Sequence, residues 1–256
     1  MRIKAVVAYD GTDYHGFQRQ GPNFEPTIQG KFEETLARIN QASSVLTAGR
    51  TDAGVHATGQ VIAFDVNWQH SLMDMQRALN AVLPDDIAVL ELEQALDHFH
   101  PRFDAVSREY RYSIYQSTIR QPLVRRYALR VSQQLDVPLM QRAVAQLIGK
   151  HDFAAFGQPT AGEATTRNML RAEVAASGQH ISIELQANGF LYRMVRRIVG
   201  TLLNVGRGEM SIEEFADALA TADPKRAGPA VPPNGTWRSG LTGWRWLRAK
   251  RRKHRS

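Results

Sequence analysis

Ile3-Lys4-Ala5-Val6-Val7-Ala8-Tyr9, closed by Asp10-Gly11, opens the pattern that decides the fold. The run is apolar and β-branched and ends in a turn dipeptide, which predicts a strand and then a turn. Thr27-Ile28-Gln29-Gly30 follows and leads into Phe32, Leu36 and Ile39, apolar at helical spacing. That is one face of a helix, with Thr27 as its cap. Ser43 to Ala48 and Gln60 to Val66 predict two more strands. Ser71 to Leu83 predicts a second helix stopped by Pro84, and Ile87 to Leu92 a fourth strand. The order β-α-β-β-α-β is the split βαβ arrangement, with helices on one face of an antiparallel sheet.

Past a candidate boundary at Pro101 to Ala105 the same rhythm returns, without any repeat of the residues themselves. Ser107 to Tyr115 alternates as a strand, and Val137 to Ile148 reads as a helix with Pro138 in its first turn. Arg171 to Ala176 and His180 to Ala187 predict a hairpin across Ser177-Gly178-Gln179. Phe190 to Val205 and Ser211 to Ala220 predict two helices, the second with Ser211 and Glu214 as a capping box. The fold class expected is therefore α+β, in two similar ferredoxin-like halves with antiparallel sheets. The halves span residues 1–103 and 104–247, with a basic tail at 248–256 expected to be disordered. A cleft between two such halves is the expected place for a site.

Composition narrows the function. The chain has 256 residues, 43% hydrophobic and 22% charged, which is globular usage and excludes a disordered chain. It has no cysteine, so disulfides, zinc ribbons, iron–sulfur clusters and thiol nucleophiles are excluded together. No stretch approaches the ~20 apolar residues of a membrane span, and the N-terminal apolar run is too short for a signal peptide. A cytoplasmic protein is expected. The net charge is +7, and the residues from Arg245 to Ser256 carry seven basic side chains and no acid. The rest of the chain is thus neutral, and the end is either a solubilising face or an arm that meets a polyanion.

Four stretches could carry chemistry. Gly49-Arg50-Thr51-Asp52-Ala53-Gly54-Val55-His56-Ala57 joins two strands and sets an Arg and an Asp between glycines. An Asp in such a loop commonly closes an Asx turn; it is also an acid held on a short loop that a bulky partner can approach. The loop lacks the Gly-Lys-Ser/Thr ending of a phosphate cradle, and His56 has no second cluster with which to hold a metal, so neither nucleotide nor metal is expected. Asp10-Gly11-Thr12-Asp13-Tyr14-His15-Gly16-Phe17-Gln18-Arg19-Gln20 suits a loop that contacts a sugar or base. Alternation in Arg108-Glu109-Tyr110-Arg111-Tyr112 puts the two tyrosines on one strand face. Phe190 to Gly200, read as a helix, sets Arg193, Arg196 and Arg197 in a basic stripe.

Taken in order, these stretches resemble the tRNA pseudouridine synthase A family. The likeness runs from Asp10-Gly11-Thr12 through Gly49 to Ala57, Leu83-Pro84-Asp85-Asp86-Ile87, Phe103-Asp104-Ala105 and Tyr110-Arg111-Tyr112 to Met194-Val195-Arg196-Arg197-Ile198-Val199-Gly200. It implies a cofactor-free homodimer that isomerises uridine to pseudouridine at positions 38, 39 and 40 in the anticodon stem-loop of tRNA. Asp52 matches the family's catalytic aspartate and Tyr110 its substrate-contacting tyrosine. Arg50 matches the arginine that holds the target base out of its stack, and Arg196 the basic partner of the carboxylate. No metal is implied. One departure stands at the C-terminus, where the family continues Gly-Leu into an apolar final strand; here Gly235 is followed by Thr236-Trp237-Arg238-Ser239.

Two rivals follow from the residues alone. A non-catalytic RNA-binding α+β protein would use the same basic and aromatic faces and would not need Asp52. A glycosidase-like hydrolase would need a second carboxylate about 5–10 Å from the first, and the Asp52 loop contains none.

Overall fold

The computed structural model describes residues 1–21, 25–159 and 164–240. The chain divides into two compact units. One is Met1–Val106 with the described residues from Arg238 onward, and the other is Ser107–Trp237. The basic tail read from the sequence lies outside the described residues.

In the first unit the elements are β1 (Arg2–Tyr9), α1 (Ile28–Arg38), β2 (Leu46–Thr47), β3 (His56–Asp65), α2 (Leu72–Val82), β4 (Ile87–Gln94) and a short α3 (Pro101–Asp104). The strands lie in the order β4-β1-β3-β2, all neighbours antiparallel. This is the split βαβ order expected. Alternation in β1 explains it: Ile3, Ala5, Val7 and Tyr9 point to one face and are buried with Phe32 and Leu36 of α1 and Met75 and Leu79 of α2. Val6, pointing the other way, packs on a smaller cluster of Ala48, Val61, Ala63, Phe99 and Ala105. The register is set at Ala5, opposite Ile62 on one side and Leu92 on the other. A slip of one residue would turn the core set of β1 towards the other face.

The two longer helices begin at capping side chains, the first at the Thr27 read from the sequence. Thr27 Oγ1 accepts the Gly30 N–H at 3.1 Å, and Ser71 Oγ accepts that of Asp74 at 3.1 Å. The second helix stops because Pro84 pushes Leu83 into extended backbone, with ψ at 148°.

The second unit holds β5 (Arg108–Gln116), β6 (Leu129–Val131), α4 (Val137–Ala145), β7 (Gly149–Asp152), β8 (Thr166–Ser177), β9 (His180–Ala187), α5 (Met194–Gly206) and α6 (Ile212–Thr221). A 3-10 turn at Pro233–Gly235 leads into β10 (Thr236–Gly240), along which the chain passes back to the first unit. The strands run β5-β9-β8-β7 with antiparallel neighbours, and β6 joins β5 in parallel, an exception to the all-antiparallel sheets expected. The predicted hairpin is present, turning at Gly178, whose φ of 58° favours glycine. Tyr112 and Ile114 of β5 are buried with Ile183 and Leu185 of β9, Met140 and Val144 of α4, Ile198 and Leu202 of α5, and Phe215 of α6. On the opposite face Glu184 takes both Arg111 at 3.0 Å and Arg171 at 2.8 Å.

Two helices differ from the sequence reading. The chain from Phe190 to Arg193 is not helical, and α5 begins only at Met194. Arg193 has φ 59°, which a right-handed helix cannot include, and Tyr192 is held in a bridge with Gln158 through paired backbone hydrogen bonds of 3.1 and 3.3 Å. Arg193 therefore leaves the basic stripe, its guanidinium lying over the Tyr192 ring at 4.9 Å. The other difference is α4, which ends at Ala145 with a tighter last turn running into Gly149 at φ 107°. At the C-terminus, where the sequence departs from the apolar pattern, Thr236–Gly240 is a strand nonetheless.

Candidate active site

Asp52 sits on the connection from β2 to β3, and what surrounds it is a second loop. Residues 10–17, following β1, are laid against residues 51–56. The closeness depends on glycine at two places. A Cβ on Gly11 would stand 2.1 Å from the Val55 carbonyl oxygen, and one on Gly16 would stand 2.7 Å from that of Thr51. Gly16 also has φ 95°, which side chains resist.

Backbone and buried side chains then fix the turn at points on both sides of Asp52. The Phe17 N–H donates to Thr51 O at 3.1 Å, and the Gly54 N–H to Tyr14 O at 3.3 Å. Val55 N–H closes onto Asp52 O at 3.2 Å, with Gly54 at φ 75° in the third position of the turn, where positive φ demands glycine. Before Asp52, the buried Thr51 hydroxyl meets the Tyr9 hydroxyl at 2.9 Å. Asp52 itself is half-buried, and Arg50 is exposed. Tyr14, buried under this loop, donates its hydroxyl to Asp86 at 2.6 Å; burial first, and then that carboxylate, push its pKa up.

His56 ends the loop and is wholly buried. Its Nδ1 accepts the Gly11 N–H at 3.1 Å and also lies 3.0 Å from Asp10 Oδ1. One nitrogen cannot both accept and donate. The amide hydrogen is fixed by the backbone, and Asp10 Oδ1 is already met by the Thr12 N–H at 2.9 Å and hydroxyl at 2.6 Å. The accepting role is therefore assigned to Nδ1. Among the described residues no group of three His, Asp or Glu is arranged to hold a metal ion.

The other two predicted site residues lie in the second unit. Tyr110, on β5, is half-buried, its ring edge-on to Phe190 with centroids 5.0 Å apart. Its neighbour Tyr112 faces the same way but is core, donating its hydroxyl to Pro232 O at 2.8 Å; burial raises its pKa. Arg196 stands in the first turn of α5 and is tied down twice, its Nε donating to Val231 O at 2.7 Å and its carbonyl accepting the Val231 N–H at 3.2 Å. That chain approaches α5 closely because Gly200 has no side chain; a Cβ there would lie 1.9 Å from Pro229 O. Arg50 and Asp52 thus share one loop of the first unit, and Tyr110 and Arg196 occupy strand and helix of the second. What the residues alone did not reveal is the part played by 10–17, read as a contact loop, whose backbone shapes the Asp52 turn.

Comparison with known proteins gives this arrangement its class. A family model described as tRNA pseudouridine synthase matches residues 5–104 and 143–239. The tRNA pseudouridine synthase A of Geobacillus kaustophilus is 43% identical over 92% of this chain and 92% of its own. That of an Exiguobacterium species is 42% identical over 92% of this chain and 95% of its own. A solved structure of an archaeal box H/ACA sRNP Nop10-Cbf5 complex aligns over 88% of this chain and 59% of that one, at 11% identity and a TM-score of 0.34, too distant to add anything. The chain belongs to the tRNA pseudouridine synthase family.

Proposed function

We propose that this enzyme isomerises uridine to pseudouridine at positions 38, 39 and 40 in the anticodon stem-loop of tRNA, with Asp52 as the catalytic carboxylate. The single observation that supports the reading best is the Asp52 turn. An acidic side chain in the family's motif stands on backbone anchored before and after it, as a group acting at a reacting atom requires.

The reaction breaks the C1′–N1 bond, turns the uracil and forms C1′–C5, while the C5 proton is lost and N1 gains one. Nothing is oxidised or reduced overall, so the chemistry calls for no cofactor. It calls for an ionised carboxylate, whether that group attacks C1′, adds to the ring or removes a ribose proton. Arg196 is the proposed cation that stabilises this charge, since an opposite charge within ~4–6 Å favours an ionised acid. Tyr110 is proposed to stack on the extruded uracil and Arg50 to hold it out of the helix. A homodimer working in the cytoplasm completes the reading; no helix among the described residues is long and apolar enough to cross a membrane.

Incubation with unmodified tRNA transcripts and mapping of pseudouridine tests it. Product at 38, 39 and 40 supports the reading. RNA binding without product returns the chain to the non-catalytic alternative.

A further inference from the structure

The strand that departs from the apolar pattern carries Arg238, and Arg238 is only 1% exposed. Arginine is rarely buried so fully, because its charge must be compensated away from water. Its guanidinium occupies a particular place, against Gly49. A Cβ built on Gly49 would lie 2.7 Å from Nη1, 3.3 Å from Nη2 and 3.5 Å from Cζ, so the glycine is what admits the arginine. The carbonyl of the same Gly49 accepts Nε2 of the wholly buried Gln60 at 2.8 Å and the Thr47 hydroxyl at 3.1 Å. Gly49 is therefore gripped by side chains from β2, β3 and β10, and it leads directly into Arg50-Thr51-Asp52.

The anchors from Tyr9, Tyr14 and Phe17 hold this loop from Thr51 onward. The grip on Gly49 holds its entry. The geometry points to Arg238 as a positioning residue for the isomerisation, acting through Gly49 on the placement of Arg50 and Asp52. It rests on the reading of Asp52 as the catalytic carboxylate. Lysine is a poor substitute, since a point charge on a flexible stem does not fill the space of a planar guanidinium.

The test is a double-mutant cycle on kcat at saturating tRNA, using Gly49→Ala, Arg238→Met and the two together, with Arg238→Lys as the milder variant should Arg238→Met be recovered unfolded. Asp52→Asn is run beside them. A loss of placement near 1 Å lowers turnover by about 10- to 100-fold. That loss is expected for each single substitution on kcat, with KM for tRNA unchanged. The double substitution should cost no more than the larger single one, because once the guanidinium is gone the added Cβ no longer displaces it. Wild-type kcat per folded enzyme, with only the thermal midpoint lowered, would make Arg238 a packing residue and overturn the proposal. So would single losses that simply multiply in the double variant. An inactive Asp52→Asn beside fully active Arg238 variants sinks this proposal alone, whereas an active Asp52→Asn sinks the reading on which it rests.

Discussion

The hydroxyl of Tyr9, the last residue of β1, lies 2.9 Å from the hydroxyl of Thr51, one residue before the candidate catalytic carboxylate, and both groups are buried. A strand in the middle of the first unit's sheet thereby fixes the loop on which Asp52 stands. Tyr9→Phe leaves the Thr51 hydroxyl buried without this partner, which costs about 1–3 kcal/mol. Adding Thr51→Val removes both polar groups and should recover most of that stability without recovering turnover. Denaturant unfolding of the two single variants and the double one checks the first part; kcat checks the second. Costs that simply add would show that the two hydroxyls are not a pair.

The alkaline limit of stability should depend on Tyr14. Burial and the hydrogen bond to Asp86 raise its pKa in the folded chain above the ordinary value near 10. A raised pKa contributes stability that is present in full below the unfolded value, and above it the unfolded chain sheds the proton first. The thermal midpoint of the wild type should fall as pH rises past about 10. Tyr14→Phe should flatten that fall and lower the midpoint at neutral pH. Tyr112, raised by burial, keeps part of the slope in the variant. Equal slopes in wild type and variant would remove Tyr14 as a source.

How much of this was legible depended on whether the determining contact was local. The alternation of Ile3, Ala5, Val7 and Tyr9 and the caps at Thr27 and Ser71 are local, and the first unit's order of elements follows from them. The start of α5 was not legible. Nothing near Arg193 announces φ 59°; its neighbour Tyr192 is bridged to Gln158, far back in the chain. The short strands Leu129–Val131 and Gly149–Asp152 escaped notice for the same reason, since each exists only by pairing with a distant strand. At the candidate site the residue types left Asp52 between an Asx turn and a working acid, and only the family resemblance singled it out; nothing in the sequence marked Gly11 and Gly16 as the glycines that let residues 10–17 approach it. Arg238 read only as a break in an apolar pattern, because its meaning lies in Gly49, distant in sequence.

Arg196 should matter to turnover and to stability separately. Arg196→Met loses the proposed counter-charge and the hydrogen bond to Val231. The expected results are a fall in kcat of about 100-fold and a loss of roughly 1–3 kcal/mol in stability. Arg196→Lys keeps a cation and should fall between wild type and Met in kcat. A Met variant that loses stability but keeps wild-type kcat would leave Arg196 as an anchor of the chain around Val231 and nothing more.

The basic end of the chain should govern affinity and not the choice of uridine. Removing residues 250–256 deletes Lys250, Arg251, Arg252, Lys253 and Arg255. Each phosphate neutralised contributes roughly 0.7–0.9 to the slope of log affinity against log salt, so the slope should fall by about 1 to 4. KM should rise most at low salt, with kcat and the modified positions unchanged. Titrations of tRNA binding across salt measure this, and an unaltered slope would make the segment a solubilising end.

Asp52, on the turn Asp52 to Val55, is proposed as the carboxylate that performs the isomerisation, and Asp52→Asn assayed with unmodified tRNA decides this. The amide keeps the shape of the side chain and removes its charge. Pseudouridine formation should be abolished, while the thermal midpoint and the affinity for tRNA stay at wild-type values. Sustained turnover by the folded Asn variant would remove Asp52 from the reaction.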